Sequence, residues 1–92
     1  MRKYVIRVSG GPDIEFEGEK LAEAGNTDPI VTLYRTKAGK IITCHSTFSL
    51  RDTGSTYTIH DNVNDALNRL GYSEIAKRLA RTLGINRNRV IP

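Results

Sequence analysis

The stretch "HDNVNDALNRLGYSEIAKRLARTLG", residues 60–84, decides the fold, because here the period of the apolar residues changes. Val63, Ala66, Leu67 and Leu70 recur at helical spacing, Asp61 or Asn62 stands at the capping position, and Gly71 ends the run. Ser73 then caps a second helix, "EIAKRLARTLG", with Ile75, Ala76, Leu79, Thr82 and Leu83 as its buried stripe. Glu74, Lys77, Arg78 and Arg81 lie together on its opposite face.

Upstream of residue 60 the apolar residues alternate with a period of two. In "KYVIRVS", Tyr4, Ile6 and Val8 share one face, and Lys3, Arg7 and Ser9 the other. "GGPD" breaks the run with turn chemistry, and "IEFEGE" alternates again, so the two runs predict a hairpin. Lys3 and Arg7 are expected to pair across it with Glu15 and Glu17. "EKLAEAGNTDP" reads as a short connection of up to one helical turn. "IVTLYRT" and "IITCHSTFS" are strands joined by a tight "KAGK" turn with Gly39 left-handed. "RDTGS" is a turn, and "TYTIH" a short fifth strand. Strands followed by helices predict an α+β fold: an antiparallel sheet of four to five strands with two C-terminal helices packed on one face. Residues 1–92 read as a single small α+β domain.

The 92 residues include 38% hydrophobic residues and no tryptophan, which predicts a modest core. Charge is distributed unevenly. Residues 66–92 carry six Lys/Arg against one acid, Glu74, whereas residues 1–65 are close to neutral. Concentrated positive charge favours an anionic partner. Cys44 is the only cysteine, so neither an internal disulfide nor a thiolate zinc site is expected. "MRKYVIRVSGG" has no signal-peptide pattern and no apolar run approaches membrane-spanning length, so a cytoplasmic protein without membrane contact is expected.

Catalytic chemistry is hard to assemble from these residues. Cys44 and His45 are neighbours on a strand and point to opposite faces, so they make no dyad. Cys44 reads as a small core residue beside Ile42 and Phe48; His45, on a face with Thr43 and Thr47, reads as an exposed or hydrogen-bonded residue. Asp61 has a capping role, and "SGGPD" lacks the helix that a phosphate-cradling loop requires. A protein without enzymatic activity, cofactor, metal or small-molecule substrate is expected.

The basic end reads in two ways. Ala80, Gly84, Ile85 and Val90 fit the spacing of a helix-turn-helix, in which a small residue lets helices approach, a glycine turns the chain and a β-branched residue packs the recognition helix. That helix would begin near Asn86 and run barely two turns to Pro92. The other reading makes Gly84 a helix stop, with Ile85 folding back and Val90 and Ile91 packing as a tail. In either case Arg78, Arg81, Arg87 and Arg89, then Lys77 and Arg69, are the candidate contacts for an acidic partner or nucleic acid. Arg35, Lys37 and Lys40, around the "KAGK" turn, form a second candidate group. Tyr4, Phe16, Tyr34, Phe48, Tyr57 and Tyr72 are assigned mostly to the core, so base stacking is not indicated.

Two resemblances add to this. Phe16, Gly18, Leu21 and Ala22, followed by Tyr34, Arg35, Thr36, Gly39 and Lys40, resemble a group of uncharacterised bacterial proteins with a Phe-x-Gly-x-x-Leu-Ala segment and a later Tyr-Arg-Thr-x-x-Gly-Lys turn. The Glu-x-Leu-Asp-Ile ending of that group is missing here, and the group lends no activity. The whole chain resembles the small phage-encoded anti-CRISPR proteins, in particular the basic kind directed at type I surveillance complexes. That likeness carries no motif and transfers no residue. It implies a non-enzymatic inhibitor that binds a CRISPR-Cas nucleoprotein complex, Cas subunits and guide RNA, in a bacterial host cytoplasm. Such an inhibitor would sterically block target DNA hybridisation. The alternatives are a small DNA-binding regulator using the helix-turn-helix-like segment, and a structural or dimeric accessory protein.

Overall fold

Alternating apolar residues build five strands, and the two capped segments build two helices. The computed structural model describes residues 1–25, 29–48 and 53–92. Its elements are β1 (Arg2–Ile6), β2 (Ile14–Gly25), β3 (Ile30–Thr36), β4 (Ile41–Phe48), β5 (Thr53–His60), α1 (Val63–Leu70) and α2 (Glu74–Thr82). The strands form one five-stranded antiparallel meander in the order β1-β2-β3-β4-β5, and both helices follow the sheet, as the α+β reading requires.

The main departure from expectation is β2. "EKLAEAG" is not a connection but the second half of a 12-residue strand. It pairs with β3 through Glu19↔Arg35, Lys20↔Tyr34, Ala22↔Leu33 and Ala24↔Val31, with the register shifting between Lys20 and Ala22. Leu21 is the extra residue of a β-bulge, and the bulge turns the strand over. Before it, Ile14 and Phe16 face one side of the sheet; after it, Ala22 and Ala24 face the other. A local reading sees leucine and alanines with good helix propensity, but ladder bonds to β3 override it. Residues 26–28 of the expected connection lie outside the described residues. The fifth strand begins at Thr53, so the second half of "RDTGS" is strand as well; Arg51 and Asp52 lie outside the described residues.

The sheet therefore carries a core on each face. On one, Ala22, Ala24, Val31, Leu33 and Ile41 meet Ala66 and Leu67 of α1 and Leu79 and Ala80 of α2. Small residues on both sides let α2 lie close to β2. Full burial of a side chain such as Leu79 contributes roughly 1.5–3 kcal/mol. Thr82, expected in the buried stripe, is exposed instead; its hydroxyl donates to the Arg78 carbonyl at 3.0 Å. On the other face Tyr34, Ile42 and Cys44 pack with Tyr4, Ile6, Ile14 and Phe16. The Tyr4, Phe16 and Tyr34 rings lie 4.8–5.4 Å apart, centroid to centroid. Burial pushes the Tyr34 phenol above its ordinary pKa.

The sheet curls enough for the segment after β1 to reach the start of β5. Past β1, Ser9 donates to the Ser55 carbonyl at 3.0 Å and Ser55 to the Arg7 carbonyl at 3.2 Å, a parallel bridge centred on Val8 and Ser55. The "GGPD" turn is fastened as Asp13 accepts from the Val8 amide at 3.0 Å. Of the expected cross-hairpin pairs, Lys3–Glu15 forms at 3.6 Å. Glu17 turns instead to Lys37 at 3.8 Å, and Arg7 has no carboxylate partner among the described residues. Capping resolves to Asn62, which accepts from the Asp65 amide at 2.8 Å, while Asp61 pairs with Lys40. Ser73 caps α2 by accepting from the Ala76 amide at 3.2 Å.

Gly18 is fixed by β3: a Cβ there would lie 2.1 Å from the Arg35 carbonyl oxygen. Backbone cannot yield as a side-chain tip does. Gly18→Ala is expected to lower stability in urea by about 1–3 kcal/mol. Gly11→Ala, whose nearest neighbour would be the Val8 Cγ1 atom at 3.6 Å, is expected to be nearly silent.

Candidate functional site

The basic end begins with a well-formed helix stop. At the end of α2, Gly84 takes a φ of 73°. Its amide donates to the Arg81 carbonyl at 3.1 Å and the Ile85 amide to the Ala80 carbonyl at 2.9 Å, the paired bonds of a Schellman motif. Ile85 folds back and packs on the helix-side core. No helix follows among the described residues: residues 85–92 run without regular structure, so the segment from Asn86 is not a recognition helix. Val90 and Ile91, expected to pack, are 85% and 74% exposed.

Arg87 explains the path of this tail. Its guanidinium donates to the carbonyls of Leu67 at 3.3 Å and Gly71 at 3.0 Å, and to the Asn68 side-chain oxygen at 3.2 Å. It also lies over the Tyr72 ring, 4.4 Å from its centroid. These carbonyls close the C-terminus of α1, the Leu67 oxygen also accepting from the Gly71 amide at 3.0 Å, and there a cation meets the negative end of the helix dipole. Arg87 therefore clips the tail that follows α2 onto the C-terminal end of α1, using both terminal nitrogens of its half-buried guanidinium on its own chain. The sequence reading missed the partners Asn68 and Tyr72. The signal for them is spacing: a polar and an aromatic residue bracket the Gly71 stop, with an arginine a few residues beyond α2.

The other candidates divide sharply. Arg35 pairs with Glu19 at 3.1 Å, Lys37 with Glu17 at 3.8 Å, and Lys40 with Asp61, whose carboxyl is held below its ordinary pKa by that bond. The hairpin-tip cations are thus matched by acids of neighbouring strands and the β5–α1 junction. At the C-terminal end, Lys77 meets Glu74 at 3.9 Å; Arg69, Arg78, Arg81 and Arg89 have no carboxylate partner among the described residues. Arg81 makes only a long bond to the Lys77 carbonyl, at 3.4 Å. Between α2 and the tail lies a groove of about 570 Å³, lined in part by Lys77, Arg81, Asn86, Arg87 and Asn88. The Asn88 amide donates to the Asn86 side chain at 2.8 Å, which stiffens the groove's outer wall.

Cys44 and His45 occupy opposite faces, as their adjacency on a strand requires. Cys44 is buried beside Tyr34 and Ile42, and its sulfur lies 3.9 Å from the Ser46 hydroxyl. His45 sits half-buried on the helix side, and burial lowers its pKa below the ordinary 6.5.

Two outcomes test this geometry. Arg87→Ala is expected to cost about 1–3 kcal/mol in urea unfolding and to speed amide exchange at Gly71 and along the tail. Arg87→Lys should recover little, because an ammonium cannot span three acceptors and stack on a ring. For His45, the unfolded chain takes up a proton near 6.5 while the folded chain resists it to lower pH. Stability is therefore full above that value and falls as pH drops through the interval between the two pKa values. His45→Gln should flatten that part of a urea-midpoint profile. No family model, curated protein or solved structure shows significant similarity to this chain.

Proposed function

We propose that the protein is a non-enzymatic inhibitor that docks on a CRISPR-Cas RNA-guided surveillance complex, on Cas subunits and guide RNA. Its bulk then blocks target DNA from hybridising. Phage encoding would place this in a bacterial host cytoplasm. The observation that carries the reading is the partition of ion pairs. Sheet cations are largely neutralised by sheet acids, while Arg69, Arg78, Arg81 and Arg89 have no carboxylate partner among the described residues. Retaining several guanidinium groups without acids in the C-terminal third of the chain costs self-repulsion, which an anionic partner relieves. Arginine forks suit phosphate and carboxylate, so a surface of RNA and acidic protein fits them. The choice of this particular partner rests on the resemblance of the whole chain to basic anti-CRISPR proteins alone. Among the described residues no helix is long and apolar enough to cross a membrane.

Within this reading Arg78, Arg81, Lys77, Arg69 and Arg89 make the contacts. Arg87 orders the tail rather than touching the partner, and Arg35, Lys37 and Lys40 contribute little. The rival, duplex reading by a helix after Gly84, has no such helix to use among the described residues.

With a purified type I complex, the protein is expected to co-migrate with it and to suppress target-DNA binding. The double variant Arg78→Glu/Arg81→Glu should weaken association at least about tenfold and steeply reduce its salt dependence, whereas Lys37→Glu should change it by less than about twofold. Unchanged DNA binding at saturating protein, with no co-migration, overturns the proposal.

A further inference from the structure

The second half of β5 is an open sheet edge. Both backbone groups of Ser55 point away from β4, toward Arg7 and Ser9. Backbone direction alternates along a strand, so the amides and carbonyls of Tyr57 and Ile59 point to that same outer side, while those of Thr56 and Thr58 face β4. The Arg7–Ser9 segment reaches no farther than Ser55. Beyond it the chain turns away: a Cβ on Gly10 would meet nothing within 4 Å, and one on Gly11 only Val8. Among the described residues no backbone bond outside the ladder to β4 involves Tyr57 or Ile59.

The side chains of these two residues are exposed and apolar. The pairs Cys44↔Tyr57 and Ile42↔Ile59 put them in the rows of the aromatic-side core, yet Ile59 is 59% and Tyr57 36% exposed. That core therefore ends at β5 in an uncovered margin. Edge strands are ordinarily guarded by lysine, proline or other charges. β1, the opposite edge, follows the rule with Arg2 and Lys3. β5, "TGSTYTIH", holds no Lys, Arg, Asp, Glu or Pro.

An uncharged edge offers nothing to select an acidic or a basic strand, and nothing to repel its own copy. A second β5 also fits it in register. In an antiparallel pair, residues whose backbone groups point outward stand opposite each other and exchange both bonds. With the two-fold axis at Thr58, Tyr57 meets the partner's Ile59 and Ile59 meets the partner's Tyr57, so every free group of both residues is satisfied. Each pair also sets an aromatic ring beside a β-branched side chain, a favourable cross-strand combination. The neighbouring registers fail. An axis at Tyr57 needs Ser55, which Arg7 and Ser9 already occupy. An axis at Ile59 brings Tyr57 to Asp61, which lies past the strand end and is paired with Lys40.

We infer that two copies of this chain associate in solution through β5, antiparallel about Thr58, continuing the sheet from one copy into the other. The interface is isologous and uses up the open edge of both copies, so association closes at the dimer. The paired stretch is short, well below the span of a stable interface, which sets Kd at roughly 0.1–1 mM. The inference is independent of the docking reading, since none of the contacts named there lies on β5.

The test uses the full chain alone, from about 0.05 to 2 mM, with light scattering for mass and amide hydrogen exchange for the contact. Mean mass is expected to rise from that of one chain toward that of two. Over the same range the Tyr57 and Ile59 amides should slow at least about twofold, while Thr56 and Thr58, already bonded to β4, should not change. Ile59→Pro removes an amide that bonds nothing within the chain and sets a ring where the partner's strand would lie. It should weaken association at least about tenfold and leave exchange in β3 and β4 as in the parent. Val5→Lys, at an exposed apolar residue of the β1 edge, should change it less than about twofold. A single-chain mass at about 2 mM overturns the inference and leaves the edge to a strand of another protein. So does association without added protection at Tyr57 and Ile59, a result read on the parent whether or not the proline variant folds. Association lost in Val5→Lys but kept in a folded Ile59→Pro also overturns it, by placing the contact on β1.

Discussion

Leu21, the residue that steps out of register in β2, is the constraint on which both cores depend. In a strand with strict alternation, residues of one parity all face the same side of the sheet. In β2 the first half must deliver Ile14 and Phe16 to the aromatic cluster, while the second half must deliver Ala22 and Ala24 to the helices. All four have even numbers, so only an inserted residue reconciles them. The bulge also strengthens local twist, which helps the meander curl far enough for Ser9 to reach Ser55. Were Leu21 paired in strict alternation instead of bulging, Glu23 would fall opposite Val31 on the helix-bearing face, among apolar side chains that offer it no partner. As it stands, Glu23 accepts a bond from the Thr32 hydroxyl at 2.9 Å on the opposite face.

This constraint also marks the limit of what the sequence displays. Period changes were legible wherever a segment serves one environment. The caps at Asn62 or Asp61 and at Ser73, the stops at Gly71 and Gly84, the strand pair around Gly39 and the placement of both helices all follow from local chemistry. β2 was legible only in its first half, because a bulge hides the continuation behind a break in alternation. Phe16, Gly18, Leu21 and Ala22, quoted above as a shared pattern, find structural reasons here: ring packing, close approach to Arg35, the bulge itself, and the seat of α2. The second core was partly legible as Tyr4, Ile6, Ile14 and Phe16 on common faces, but the two-sided burial of β3 and β4 was not.

For the basic end, counting charges located the region but could not assign roles. Arg87 and Arg89 look equivalent in sequence, two residues apart on the same tail. In the fold one is bound to three acceptors of the helix C-terminus and the other is exposed. The same holds for the hairpin tip, whose cations read as a patch until Glu17, Glu19 and Asp61 are brought beside them. Long-range pairing decides which charges remain to be answered by something else, and that information lies in the register.

The bridge between Val8 and Ser55 governs how this molecule can be approached. A flat meander would present β5 as an open ladder, onto which another chain could add a strand through backbone bonds alone. Here the chain's own Arg7–Ser9 segment occupies that ladder at its start. A contact made there must use side chains, which discriminate between partners as a ladder does not. The same bridge shortens the open stretch of ladder at the start of β5.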